Sequence, residues 1–278
     1  MHPKIMAKVE FKGSLMQNAA DAMTDALLHL YRELRDRAAH LPPTLVPRLG
    51  CPFLICPRNE WPNAMHRILI VGQEPWWWGF EAGHGYNWPY NPIWTLADFI
   101  RYDHSPKALM DAYRETTYEI EPDDNQGAPF ARALNDFREP PEPHGTIEVI
   151  NTNLIRSRLF TDDRQGEGVC MYNAPPDELR NIQNWQGDCL TREVEMLNPT
   201  AVIFLTGPYY NQILLDQFRG TRLMLVGNLD RRKCAQILHA SLPSRSFRTY
   251  HPKFLVRSNQ WSLLTEIRNR VMTVDDPG

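Results

Sequence analysis

Five short apolar runs, at positions 68–71, 146–150, 201–205, 223–226 and 247–250, restrict the fold more than any other feature. Each has the length of a buried strand rather than of a helix. The intervals between them carry apolar residues at helical spacing. Leu190, Val194 and Leu197 form one such stripe, stopped by Asn198-Pro199, and further helices are expected over about 209–218 and 231–238. Strands alternating with helices predict an α/β fold with a parallel sheet. Ahead of the first strand, Leu15, Ala19, Met23, Leu27, Leu30 and Leu34 predict a helix over 14–40 that ends at Leu41-Pro42-Pro43. The interval 79–145 is long and irregular, with short helices expected near 94–101 and 128–137. Insertions of this length often serve as binding loops or lids.

The chain has 278 residues, enough for one large domain or a domain with an appendage. No apolar run approaches the ~18 residues that span a membrane, and the first 15 positions lack the apolar core of a signal peptide. A cytoplasmic protein is expected. Five cysteines scattered through a long chain argue against a disulfide framework. The net charge of −3 conceals an asymmetry: positions 111–148 hold ten acidic and three basic residues, whereas 217–260 hold nine basic residues and Asp230 alone. Such a basic stretch either serves an anionic polymer or is an ordinary solvated surface.

Residues able to do chemistry follow the strand-like runs, and ligands of open α/β sheets bind at the carboxyl ends of strands. Gly72-Gln73-Glu74-Pro75-Trp76 leaves the first run, so Pro75 fixes a carboxylate at a strand exit. Glu74 there either positions a water or caps a backbone N–H. Asn151 and Asn153 end the second run; an asparagine amide can read a carbonyl and an N–H on one base edge, or simply form a turn. His251, locked by Pro252, is either a donor to developing charge or a packed histidine. Phe254 and Leu255, among Lys253 and Arg257, are either a wedge for a base stack or core contacts. Trp76, Trp77, Trp78, Tyr86 and Trp88 offer faces for base stacking or for packing over the sheet edge. No GK[ST] phosphate loop, GxSxG elbow or HExxH helix is present. Cys51 and Cys56 lack a second close cysteine pair, so no metal is expected.

In this order the segments resemble the uracil-DNA glycosylase superfamily over about 65–270. Gly72-Gln73-Glu74-Pro75-Trp76 is similar to its GQDPY motif, and His251-Pro252-Lys253-Phe254-Leu255 to its HPSxL motif. Asn153-Leu154-Ile155-Arg156-Ser157-Arg158 is similar to the NVVKCR segment of the iron–sulfur branches, and Pro176-Asp177-Glu178-Leu179 to their PxxEL element. The resemblance implies a three-layer α/β/α fold around a short parallel sheet, with 1–45 as a helical extension and a long insertion at about 90–145. It implies that Glu74 places the attacking water and that His251 stabilises the departing base. Asn153 would read the base edge, with Asn151 as its rival. Trp88 would stack on the base, Trp76 would screen its C5 position, and Gln73 and Tyr86 would complete the pocket. Arg156, Lys253, Phe254, Leu255 and Arg257 would meet DNA. Glu74 in place of Asp, Trp76 in place of Tyr, and Ser157 in place of a ligand cysteine depart from the pattern. No cluster is therefore expected.

The activity so implied is cleavage of the N-glycosidic bond of a pyrimidine flipped out of DNA, in repair or in antiviral defence, by a bacterial or phage-encoded monomer without a cofactor. The base is uracil or a modified base, including the hypermodified cytosines of phage DNA. Water is the expected nucleophile, because no lysine stands beside either motif core as an amine nucleophile would require; Lys253 is the nearest. A non-catalytic DNA-binding module and an enzyme acting on free nucleosides are the alternatives.

Overall fold

The computed structural model describes residues 3–75, 95–119, 129–139, 145–161 and 168–273, with backbone alone for 3–18 and 117–119. Helix α1 (Pro3–Ala38) precedes strand β1 (His66–Gly72), and helices α2 (Leu96–Arg101), α3 (Ser105–Glu119) and α4 (Pro129–Arg138) lead to β2 (Ile147–Asn153). A small hairpin, β3 (Leu159–Phe160) with β4 (Gly168–Val169), is followed by α5 (Pro176–Gln186), α6 (Cys189–Leu197) and β5 (Ala201–Phe204). Then come α7 (Asn211–Gln217), β6 (Arg222–Leu225), β7 (Cys234–Leu238), β8 (Arg245–Thr249), α8 (Pro252–Arg257) and α9 (Ser262–Met272). Local chemistry sets several ends. Thr95 and Asp98 form a reciprocal capping box at the start of α2, and Asn198 closes α6 in the left-handed region at φ 43°.

Six strands form one sheet in the order β2-β1-β5-β8-β7-β6. The first four are parallel; β7 runs antiparallel to its neighbour β8, and β6 antiparallel to β7. The three-layer α/β/α expectation holds, and the sheet is mixed rather than wholly parallel. Side chains alternate between two cores, as strand geometry requires. Leu69, Val71, Ile150, Val202 and Phe204 face the core formed with α1, α2, α3, α5, α6 and α7. Ile68, Ile70, Val149, Ala201 and Ile203 face the core formed with α4, α8 and α9. No helix among the described residues is long and apolar enough to cross a membrane.

Two expectations are corrected. Residues 231–238 hold a strand, β7, not a helix. Their few apolar residues fit either period, and pairing with β6 and β8 on both sides decides for the strand. The segment 1–45 is not an appendage in its second half: Leu27, Leu30, Tyr31, Leu34, Leu41 and Leu45 are buried in the first core with the sheet.

Candidate active site

The register brings the chemistry-bearing strand ends to one edge. Gly72 lies opposite Asn153, Val71 opposite Phe204, and Phe204 opposite Arg248. The segments Gln73-Glu74, Asn153, Thr206-Gly207 and Tyr250-His251 therefore leave the parallel strands side by side. Backbone bonds hold them there: Leu154 and Ile155 N–H donate to the carbonyls of Gly72 and Gln73 (both 2.9 Å), and Gly207 N–H donates to Thr249 (2.9 Å). Gln73 spans β1 and β5 by donating its amide to the Thr206 carbonyl (2.8 Å). This occupies one of its two amide N–H donors.

Glu74 turns toward the first core. Its Oε2 accepts the Met171 N–H (3.0 Å). The Tyr210 hydroxyl approaches the carboxylate, yet this buried oxygen has no partner in hydrogen-bond alignment among the described residues. Burial pushes the Glu74 carboxyl up to about 7, against the opposing pull of the Met171 N–H, the Tyr210 hydroxyl and the Arg158 guanidinium. Arg158 lies directly over Gly168 on the β3–β4 hairpin, where a Cβ would collide with its Nε at 1.8 Å. The thiol of Cys170 adjoins the same carboxylate, and burial pushes it up. Next to this group, the exposed rings of Tyr172 and Tyr209 stack at 5.5 Å and 27°.

Phe130 borders both His251 and Gly72, over which the Asn153 amide lies. His251 stacks on Phe130 of α4 at 6.0 Å and 23°. Its Nδ1 accepts the Lys253 N–H (3.2 Å). Burial, reinforced by the charges of Lys253 and Arg257, pushes the imidazole down to about 4. At neutral pH the ring is uncharged, so its proton sits on Nε2, the nitrogen left to donate. Phe130 also borders Gly72, and a Cβ on Gly72 would meet the Asn153 Oδ1 at 2.5 Å and Phe130 at 3.4 Å. A side chain at position 72 would therefore displace the Asn153 amide.

The structure separates other expected members of the site. Asn151 is engaged by α3: the Tyr113 hydroxyl donates to its Oδ1 (3.2 Å) and accepts its backbone N–H (3.1 Å). Asn153, two residues nearer the edge, is thus the better placed of the two asparagines. Arg156 is a correction. It is 1% exposed, paired to the fully buried Glu193 and bonded to Thr152, so it cannot meet DNA from this position. Leu255 is another: it is fully buried in the second core, because the α8 turn directs it inward. Phe254, 37% exposed and packed on Tyr250 at 4.3 Å, is left as the wedge candidate. Lys253 and Arg257 are exposed. Trp76, Trp77, Trp78, Tyr86 and Trp88 lie outside the described residues.

Sequence reasoning passed over Phe130, Arg158, Cys170, Tyr172, Tyr209 and Tyr210. One signal was present: Gly207-Pro208-Tyr209-Tyr210 follows a core strand, and Gly207 adopts φ +71° there. Among the described residues no group of three or more His, Cys, Asp or Glu could hold a metal. Cys51 and Cys56 are buried thiols, and burial pushes both up. The Ser157 hydroxyl donates to the Gly50 carbonyl. A surface hollow of about 470 Å³ lined by Arg222, His239 and Ser244 lies at the opposite sheet edge and contains none of this chemistry. No protein-family model matches the chain, and no curated protein matches it.

Proposed function

We propose that this protein is a monofunctional DNA glycosylase that hydrolyses the N-glycosidic bond of a flipped pyrimidine, uracil or a modified base, and leaves an abasic site. The observation that carries this reading is that two groups with shifted pKa values follow parallel strands at one edge of the sheet: a carboxyl near neutrality at Glu74 and an uncharged, Nε2-protonated imidazole at His251. A general base works best with a pKa near the working pH, and a neutral imidazole can donate to an oxygen that gains charge.

In the reaction, ionised Glu74 holds a water against the sugar C1′ and accepts its proton as the water oxygen bonds to C1′. The Tyr210 hydroxyl, lacking an aligned partner among the described residues, is a second group for that water. The C1′–N bond breaks with its electron pair leaving on the base. The charge that accumulates on the base carbonyl oxygen is met by the His251 Nε2–H. Asn153 offers one acceptor and two donors to the base edge, with its Oδ1 steered by the bare Gly72. Flipping costs a few kcal/mol, which stacking and edge-reading offset.

The test is abasic-site formation in duplexes carrying uracil, 5-hydroxymethyluracil or glucosylated hydroxymethylcytosine. The expected result is cleavage of at least one duplex, with a rate that rises with pH and levels off above about 7, and that falls about 10²–10⁴-fold in Glu74→Gln. Intact glycosidic bonds in every duplex would remove the enzyme reading. Unchanged DNA affinity in Glu74→Gln with no chemistry to lose would leave the DNA-binding module.

A further inference from the structure

The nine basic residues between 217 and 260 do not form one face. Strand pairing divides them between opposite edges of the sheet. Arg222 lies opposite Leu238, and Arg245 opposite Ala201, at the edge away from Glu74 and His251. Leu225 lies opposite Ala235, and Cys234 opposite Thr249, so the β6–β7 connection, 226–233, emerges at the same edge as His251. Its last three residues, Arg231, Arg232 and Lys233, are all exposed.

The backbone beneath them is held from below. Arg248, 1% exposed, donates from Nη1 to the Arg232 carbonyl (2.6 Å) and from Nη2 to the Arg231 carbonyl (2.8 Å). The Thr249 hydroxyl donates to the Lys233 carbonyl (3.0 Å). Three successive carbonyls thus point inward onto β8. Asp230, the acid of this connection, accepts the Arg232 N–H on its Oδ1 (2.8 Å), while its carbonyl accepts the Lys233 N–H (2.8 Å). A loop built in this way presents its cations with little backbone left to order, which lowers the entropic cost of gripping a partner.

We propose that 226–233 is a preformed phosphate grip, in which Arg231, Arg232 and Lys233 engage the sugar-phosphate backbone of the DNA strand whose base enters the neighbouring site. The inference rests on DNA as the partner in the reading above, not on its chemistry. Arg248, itself buried, is the support and touches no DNA.

The test measures the affinity of the full chain for a short undamaged duplex by fluorescence anisotropy across a range of salt concentrations. Arg231→Ala/Arg232→Ala is compared with Arg219→Ala/Arg222→Ala, an equal loss of exposed charge placed away from the site. Each phosphate contact contributes about 0.9 to the slope of log K against log salt. The grip variant is expected to lower that slope by about 1–2 and to weaken low-salt binding roughly tenfold or more, while the control keeps the slope. Equal falls in both variants, or no fall in the grip variant, overturns the proposal. Because no base is removed in this assay, the two readings separate. A reduced slope in a protein that forms no abasic sites keeps the grip and removes the glycosylase. Abasic sites with an unchanged slope do the reverse, and a chain that binds no duplex at low salt loses both.

Discussion

Glu74 makes the folded chain less stable than a neutral residue at the same place would. Its folded pKa, about 7, stands above the ordinary 4.5, so between those values the folded chain keeps a proton that the unfolded chain releases. The stability associated with this group is present below about pH 4.5 and is lost as pH rises through about 7. Glu74→Gln is therefore expected to stabilise the fold at pH 8 by roughly 1–3 kcal/mol and to change little at pH 4. Urea unfolding at the two pH values checks this, and equal effects at both would contradict a buried carboxyl. His251 acts in the opposite sense. Its pKa, lowered to about 4 from 6.5, gives stability that is present above 6.5 and lost as pH falls through 4. Glu74, Asn153 and His251 were legible as strand-end residues because asparagine and proline are poor continuations of a buried strand. Arg156 was misread because its partner, Glu193, is 37 residues away and is delivered only by the packing of α6.

The elements around Arg156 depend on one buried network. Arg156 pairs with Glu193, Glu193 accepts the Tyr31 hydroxyl (2.7 Å), and that hydroxyl in turn receives the Ile55 N–H (3.3 Å). The network ties α1, α6, the end of β2 and the segment before β1. Both charges are nearly or fully out of water, so removing one leaves the other without compensation. Arg156→Met is expected to lose about 3–5 kcal/mol in urea unfolding while leaving the salt slope of DNA binding unchanged. A changed slope in a folded variant would return Arg156 to the DNA contacts. At this scale the sequence was informative where periodicity was long and capped, as in α6 with its Asn198 terminus. It failed where an element is short. A stretch of five residues such as β7 has too few turns or alternations to declare its period, and its neighbours in the sheet settle the matter.

At the scale of the molecule, the second half of α1 belongs to the fold. Leu27, Leu30, Tyr31 and Leu34 are fully buried, and Trp185 donates its indole N–H to the Leu34 carbonyl (2.9 Å). At roughly 2 kcal/mol for each large apolar side chain, their loss is comparable with the whole 5–15 kcal/mol that keeps a typical domain folded. A chain lacking residues 1–38 is expected to show no cooperative thermal transition by circular dichroism, whereas an appended helix could be removed without that result. The sequence revealed this helix clearly, but amphipathic periodicity says only that a face is buried, not which surface covers it.

The Tyr113 hydroxyl, already met as the partner of Asn151, also covers part of a sheet edge. β2 is an outer strand, and its outward backbone groups would otherwise be a template for a strand from another molecule. Tyr113 occupies the Asn151 N–H, so pairing at that rim is interrupted in the middle of the strand. The opposite rim, β6, is four residues long and carries exposed Met224 and Leu225. Among the described residues, β2 is thus the less receptive of the two rims to a further strand.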